Sequence, residues 1–245
     1  MTAAVTETVP AQIASVMQVL GDTYRDEIWH WMPDRARAMD VIVGAILVQH
    51  TTWTNAERAL EALRASDAID TRVLVAMPDA EIAALVRVSG TPTVKARRLR
   101  ATAETIERAG GIDAFLAHPL GVMRPLLLAT HGIGPETADA IALYAAGHRT
   151  FVIDAYTKRL ARRIGIGPAD DRYETWQQFF EDALPDADAA LFQRYHAWIV
   201  LHGKTLCRAT PRCAPCPLLD ACDYGRAGVG TATTRSPSLA GGATR

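Results

Sequence analysis

Apolar residues recur along this chain with the 3.6-residue period of a helix rather than the two-residue alternation of a half-buried strand. Ile13, Val16, Met17 and Leu20 fall on one stripe, and Ala56, Leu60 and Leu63 form another. Asp79-Ala-Glu-Ile opens a third such segment with the acidic first turn that favours a helix start. Further helices are predicted over Glu136–Ala146, Ala155–Ile164 and Tyr173–Leu184. The run Val41–Val48 is ambiguous by period alone, because its β-branched residues would suit a buried strand; helical neighbours on both sides assign it to a central helix. No alternating segments bounded by hairpin turns and no repeat of roughly 20 to 50 residues interrupt the pattern. The prediction is an all-α protein. Residues 1–10 and 226–245 hold too few large apolar side chains to offset the entropy of ordering and are expected to be disordered.

Hydropathy and charge narrow the class. Val41–Val48, eight residues, is the longest apolar run, whereas a membrane-spanning helix needs about 20. MTAAVTETVP has neither the basic nor the apolar region of a secretory leader, so a cytoplasmic protein is expected and no membrane partner. With 245 residues, 49% hydrophobic and 22% charged, the chain can bury one good core or two modest ones. Lys plus Arg total 26 and Asp plus Glu 27, a net charge of −1, so no global field would hold a polyanion. The bases are clustered instead. Arg87–Arg100 holds five bases and no acid, Lys158–Arg163 four bases and Lys204–Arg212 three, while Pro168–Asp188 carries seven acids. Any one basic stretch reads equally well as a solvated helix face; three beside separate chemical motifs suggest phosphate contacts.

All four cysteines lie within sixteen residues, at Cys207, Cys213, Cys216 and Cys222, in a C-x5-C-x2-C-x5-C pattern. A disulfide framework would usually spread them further. Four thiolates this close can cage one zinc ion or cap a cubane cluster; zinc sites more often pair two C-x2-C knuckles, which favours [4Fe–4S]. Arg208 and Arg212 sit in the loop between the first two cysteines, so a metal centre pinning both ends would make a rigid phosphate-contacting finger. His131-Gly-Ile-Gly-Pro-Glu-Thr-Ala138 follows the apolar Leu126-Leu-Leu128. Its glycines let the N–H groups of Gly132, Ile133 and Gly134 point outward beside the positive end of a helix starting near Pro135, a phosphate site made of backbone, or else an ordinary tight turn. Asp154 lies 20 residues after Gly134 at the head of a basic helix, where it is an N-cap and a candidate functional carboxylate.

Taken in this order, the segments resemble the endonuclease III superfamily of helix-hairpin-helix DNA glycosylases. The resemblance covers roughly residues 25–224 and rests on Ile46-Leu-Val-Gln-His-Thr-Thr-Trp53, Lys95–Arg100, His131–Ala138, Val152-Ile-Asp154, His202-Gly203 and the cysteines. It implies an all-α fold of two domains flanking a DNA groove: a helical barrel at residues 38–149, and a cluster domain from residues 11–37 and 150–225. It also implies a nucleoid-associated monomer acting on double-stranded DNA with a damaged base, a [4Fe–4S] cluster on the four cysteines, and a monovalent cation at the hairpin. The target nucleotide would be flipped out, since its glycosidic bond is unreachable in the stack. Asp154 matches the family's catalytic aspartate, a fixed carboxylate that stabilises oxocarbenium charge on the sugar. Gln49 matches a residue that reaches into the space vacated by the flipped base, and Lys158 would contact phosphate.

Members that also cut the backbone carry a Lys just before the Thr-Ala of the hairpin, where its amine forms a Schiff base with the sugar. Here that catalytic position is Glu136, whose carboxylate cannot do so, and a monofunctional base-excision glycosylase using water is predicted. The segment Gly132–Ile141 with Trp31-Met-Pro33 and Trp53 is more similar to the branch containing a bacterial 3-methyladenine DNA glycosylase, which lacks the cluster. That likeness implies that Trp31 and Trp53 sandwich a cationic alkylated purine, with Met32 where the branch can have a second Trp; both aromatics would also suit a core. The first cysteine gap is one residue shorter than in endonuclease III itself. Two alternatives stay open: a glycosylase and abasic-site lyase on oxidised pyrimidines with Lys158 or another amine as substitute nucleophile, and a lesion-binding protein without turnover.

Overall fold

In the computed structural model, which describes residues 8–27 and 38–233, the regular structure among the described residues is helical. In chain order the helices are α1 (Val9–Tyr24), α2 (Ala38–Leu47), α3 (Trp53–Ala65), α4 (Thr71–Ala76), α5 (Asp79–Leu85), α6 (Pro92–Arg108), α7 (Ile112–Ala117), α8 (Leu120–Leu128), α9 (Pro135–Tyr144), α10 (Ala155–Ile164), α11 (Tyr173–Ala183), α12 (Ala189–Thr205) and α13 (Asp223–Thr233). None of them is long and apolar enough to cross a membrane. Starts are set by local chemistry: Pro occupies the first turn of α1, α6 and α9, and the Asp70 carboxylate accepts from the Arg72 and Val73 N–H groups to cap α4. The strand-like run at Val41 is helical because it is buried on every side. Each residue from Val41 to Leu47 is buried, with α3, α6 and α9 packed around α2.

The chain divides into two compact units. The larger comprises residues 38–153 and Asp186–Gln193, and the smaller residues 8–27, Asp154–Pro185 and 194–233. These boundaries differ from the expected 150–225 in two places, for visible reasons. Phe151 packs edge-on against Phe192 at 5.2 Å, and the Arg149 guanidinium lies over the same ring while donating to the Ala187 carbonyl. The Gln193 amide donates to the Leu143 carbonyl at 2.7 Å, and the Tyr144 hydroxyl donates to the Gln193 carbonyl. Residues 150–153 and 186–193 are thereby part of the larger core.

Helix reaches into both of the ends that were expected to be disordered. Helix α1 begins at Val9, inside residues 1–10, because Ile13, Val16, Leu20 and Tyr24 bury one stripe, with α11 packed on the helix and the Tyr24 hydroxyl meeting His202 and Thr205 of α12. At the other end α13 continues through residues 226–233, starting directly after Cys222 and packing on α10; residues 234–245 lie outside the described part.

Within the larger unit, α8, a short turn and α9 form a helical hairpin. Asp139, fully buried on α9, accepts two bonds from Arg124 of α8, at 2.8 and 3.1 Å, and one from Thr150. A buried carboxylate left without such partners would be costly, and this pair fixes one helix of the hairpin on the other.

Candidate functional site

The hairpin turn depends on one glycine more than the other. Gly132 has φ 81°, and a Cβ there would meet Arg98 Cγ at 2.4 Å. Gly134 is extended, with φ −93° and ψ 175°, and a Cβ would meet nothing within 4 Å among the described residues. It is the exposed N-cap of α9. Of the three expected outward N–H groups, that of Ile133 instead donates to the Thr130 carbonyl at 3.2 Å, and its side chain is buried. Gln49, just after α2, ties the turn to α9 and to Arg98 of α6. Its Nε2 donates to the Gly132 carbonyl at 3.3 Å and to Thr137 Oγ1 at 2.9 Å, while its Oε1 accepts from Arg98 Nη1 at 2.6 Å. Glu136 stands exposed in the first turn of α9, and Trp53 is half-buried at the first position of α3. Trp31 lies outside the described residues.

The first basic stretch is a correction to the phosphate-contact reading. Lys95 is 1% exposed, and its Nζ donates to the Leu47 and Ser89 carbonyls at 2.7 and 2.5 Å, with its pKa pushed down to about 8 by burial and by Arg98. Arg100 binds the Asp79 carboxylate and the Val75 and Met77 carbonyls. Three of the five bases thus satisfy carbonyl groups and side chains of the larger unit.

In the smaller unit, Asp154 caps α10. Its Oδ1 accepts the Thr157 N–H at 2.7 Å, and Oδ2 lies 3.6 Å from His196 Nε2. Burial pushes this carboxyl up; His196 first, and then Thr157, outweigh burial, and its pKa lies below the usual carboxylate range. Lys158, one turn on, faces a different group: its Nζ binds Asp171 through the carboxylate and the carbonyl, both at 2.9 Å. Arg162 shares that carboxylate, and both bases stack on Trp176.

The remaining bases of α10 hold the cysteine segment. Arg159 donates to the Cys207 and Gly203 carbonyls, and Gly203 must lack a Cβ because Tyr156 would lie 2.4 Å from it. Arg163 donates to Cys207 Sγ at 3.2 Å and to the Arg208 and Ala209 carbonyls. Arg208 and Arg212 are exposed on that loop. All four cysteines, with His202 and Arg163, line one small cavity. Burial pushes the Cys216 and Cys222 thiols up, and their neighbouring thiols add to the rise. The sulfurs are not drawn onto a common point: no three His, Cys, Asp or Glu among the described residues form the shell of a single ion. Four soft sulfur donors around one cavity nonetheless fit a cationic metal centre, which would favour the thiolate forms that burial opposes at Cys216 and Cys222.

Residues 43–186 match the profile of the HhH-GPD superfamily of base excision DNA repair proteins. The chain belongs to that superfamily. A candidate DNA repair glycosylase of Methanocaldococcus jannaschii is 35% identical over 86% of this chain and 95% of its own length, and endonuclease III of Treponema pallidum is 29% identical over 79% and 85%. Among solved structures, the H. pylori 3-methyladenine DNA glycosylase bound to 1,N6-ethenoadenine is 26% identical, with a TM-score of 0.69 over 79% of this chain and 97% of that one. A non-covalent endonuclease III–DNA complex matches in fold, with a TM-score of 0.76 at 20% identity over 91% of this chain. The HhH-GPD chain therefore has the helical two-domain fold that its sequence suggested.

Two residues of this HhH-GPD protein carry no local signal in the sequence. His196 sits on α12 among Tyr195, Ala197 and Ile199, all buried, where it reads as a core histidine. Arg98 was one base among five. Both acquire meaning from partners 42 and 49 positions away in the chain, Asp154 and Gln49.

Proposed function

We propose that this protein is a monofunctional DNA glycosylase that hydrolyses the N-glycosidic bond of a damaged base flipped out of duplex DNA, with alkylated purines as the substrate class. The observation that carries the reading is Asp154, a nearly buried carboxylate held below the usual pKa range and fixed through Oδ1. Cleavage of the glycosidic bond develops positive charge on the sugar, and a carboxylate already ionised and oriented stabilises it without reorganising. Membership of the HhH-GPD superfamily supports the same role. Glu136 supports the monofunctional mode, since it offers no amine, and the pairing of Lys158 with Asp171 counts against Lys158 as a substitute amine. Alkylated purines are favoured by the likeness to the H. pylori enzyme and by Trp53 at the start of α3.

The four cysteines are proposed to hold a [4Fe–4S] cluster, supported by their shared cavity and single C-x2-C pair. Such a cluster would serve as a structural brace. Arg163 and Arg159 orient the loop carrying Arg208 and Arg212, which would meet phosphate.

The test is base release from methylated duplex DNA, quantified by mass spectrometry, with strand breaks scored before and after alkali. Release of 3-methyladenine with breaks only after alkali is expected. Asp154→Asn should lower release by about 10²-fold or more while keeping the helix cap, because Asn caps as well as Asp. A second reading, glycosylase with lyase, has one observation in its favour. Lys204 lies within electrostatic reach of Asp154, and burial lowers its pKa; borohydride trapping on abasic DNA that disappears in Lys204→Ala would establish it.

A further inference from the structure

The two oxygens of Asp154 have different surroundings. Oδ1 is committed to the helix, accepting the Thr157 N–H at 2.7 Å, which fixes the plane of the carboxylate. Oδ2 faces Nε2 of His196 at 3.6 Å, and both side chains are withdrawn from water, 11% and 10% exposed. The groups that face Asp154 are His196 and Lys204 of α12 and Thr157 of its own helix. A carboxyl so placed would take up a proton unless something nearby favours its charged form.

Resting on the glycosylase reading above, we infer that His196 is the positioning residue of Asp154, its Nε2–H holding Oδ2 ionised and aimed for the sugar cation. An imidazole meets the need because it donates through Nε2 in one neutral tautomer and in the protonated form alike. Its contact with Asp154 is longer than a formed hydrogen bond, and catalytic contacts of this kind tighten when substrate excludes water. The placement is also rigid. His196 lies in the 17-residue helix α12, which further on presents Gly203 to Tyr156 and Arg159 of α10. The two helices that carry the pair are therefore packed directly on each other.

The sign of the effect follows from the causes. His196 lowers the Asp154 pKa against burial, which raises it. Without the imidazole, burial is less fully opposed, the carboxyl protonates at higher pH, and the acid limb of the reaction moves up.

The experiment uses the full chain and three proteins, wild type, His196→Phe and His196→Gln, with folding checked by circular dichroism. Base release from methylated duplex is measured in single turnover against pH, and the Asp154 carboxyl carbon is titrated by ¹³C NMR without DNA. In His196→Phe the acid limb and the NMR midpoint are both expected to rise by about one pH unit, a tenfold loss on that limb. His196→Gln, which still donates an N–H, is expected to recover most of the shift, and it carries the test if the Phe variant fails to fold. Unchanged midpoints in both variants, or a Gln midpoint as high as that of Phe, overturn the inference. Wild-type protein that releases no base sinks the glycosylase reading instead, while the NMR midpoint still decides whether His196 holds Asp154.

Discussion

A hairpin that looks symmetrical in sequence is unequal residue by residue. Gly132→Ala would force a Cβ onto φ 81° and into the Arg98 side chain at 2.4 Å, a loss of about 2 kcal/mol or more. Gly134→Ala meets an open site and an extended backbone, and is expected to cost under about 1 kcal/mol. Urea unfolding of the two variants checks the contrast, and equal losses would refute it. Lys95 gives a second residue-level test. Its proton leaves the folded chain near the depressed pKa of about 8 but stays on the unfolded chain up to about 10.5. The unfolded state thus binds more protons across that window, and stability should rise with pH through it. Lys95→Met removes the titrating group, so the variant should lack this increment when unfolding is compared at the two ends of the window.

At the scale of elements, α10 does two jobs that its basic composition concealed. Its first turn is capped by Asp154, and further along Arg159 and Arg163 grip the cysteine segment through main-chain carbonyls. Arg163→Ala should loosen that segment, giving lower iron content and weaker visible absorbance after reconstitution with little change in helix content. Arg163→Lys should rescue poorly, because one ammonium cannot reproduce a guanidinium that meets Cys207 Sγ and the Arg208 and Ala209 carbonyls at once. These arginines also mark what the sequence could and could not disclose. Helix α10 was legible over its whole length, and so were the burial of α2, the cap at Asp154 and the grouping of the cysteines, since each is written in residues close together. The uses of Lys95, Arg98, Arg159 and Gln49 were not legible. A base in a helix looks the same in sequence whether it meets solvent, phosphate or a carbonyl 48 positions away, as Arg159 meets Cys207. His196 was hidden for the same reason, being polar on an apolar helix with its partner in another.

For the molecule as a whole, the consequence is electrostatic. A net charge of −1 leaves DNA affinity to local bases, and the contacts described above engage most of the first two basic stretches. Lys95, Arg98 and Arg100 serve the larger unit, Lys158 and Arg162 neutralise Asp171, and Arg159 and Arg163 hold the cysteine loop. Arg97, Arg208 and Arg212 are exposed. Binding to undamaged duplex should accordingly weaken with salt at a shallow slope, since each neutralised phosphate contributes about 0.9 to the dependence of log K on log salt. Arg208→Ala and Arg212→Ala should each reduce that slope by about one. Arg100→Ala should leave the slope as it is and lower stability instead, because it strips partners from Asp79 and from the end of α4. Fluorescence anisotropy titrations at several salt concentrations, paired with unfolding curves, separate the two classes. A slope that falls for Arg100→Ala but not for Arg208→Ala would reverse the assignment of internal and DNA-facing bases.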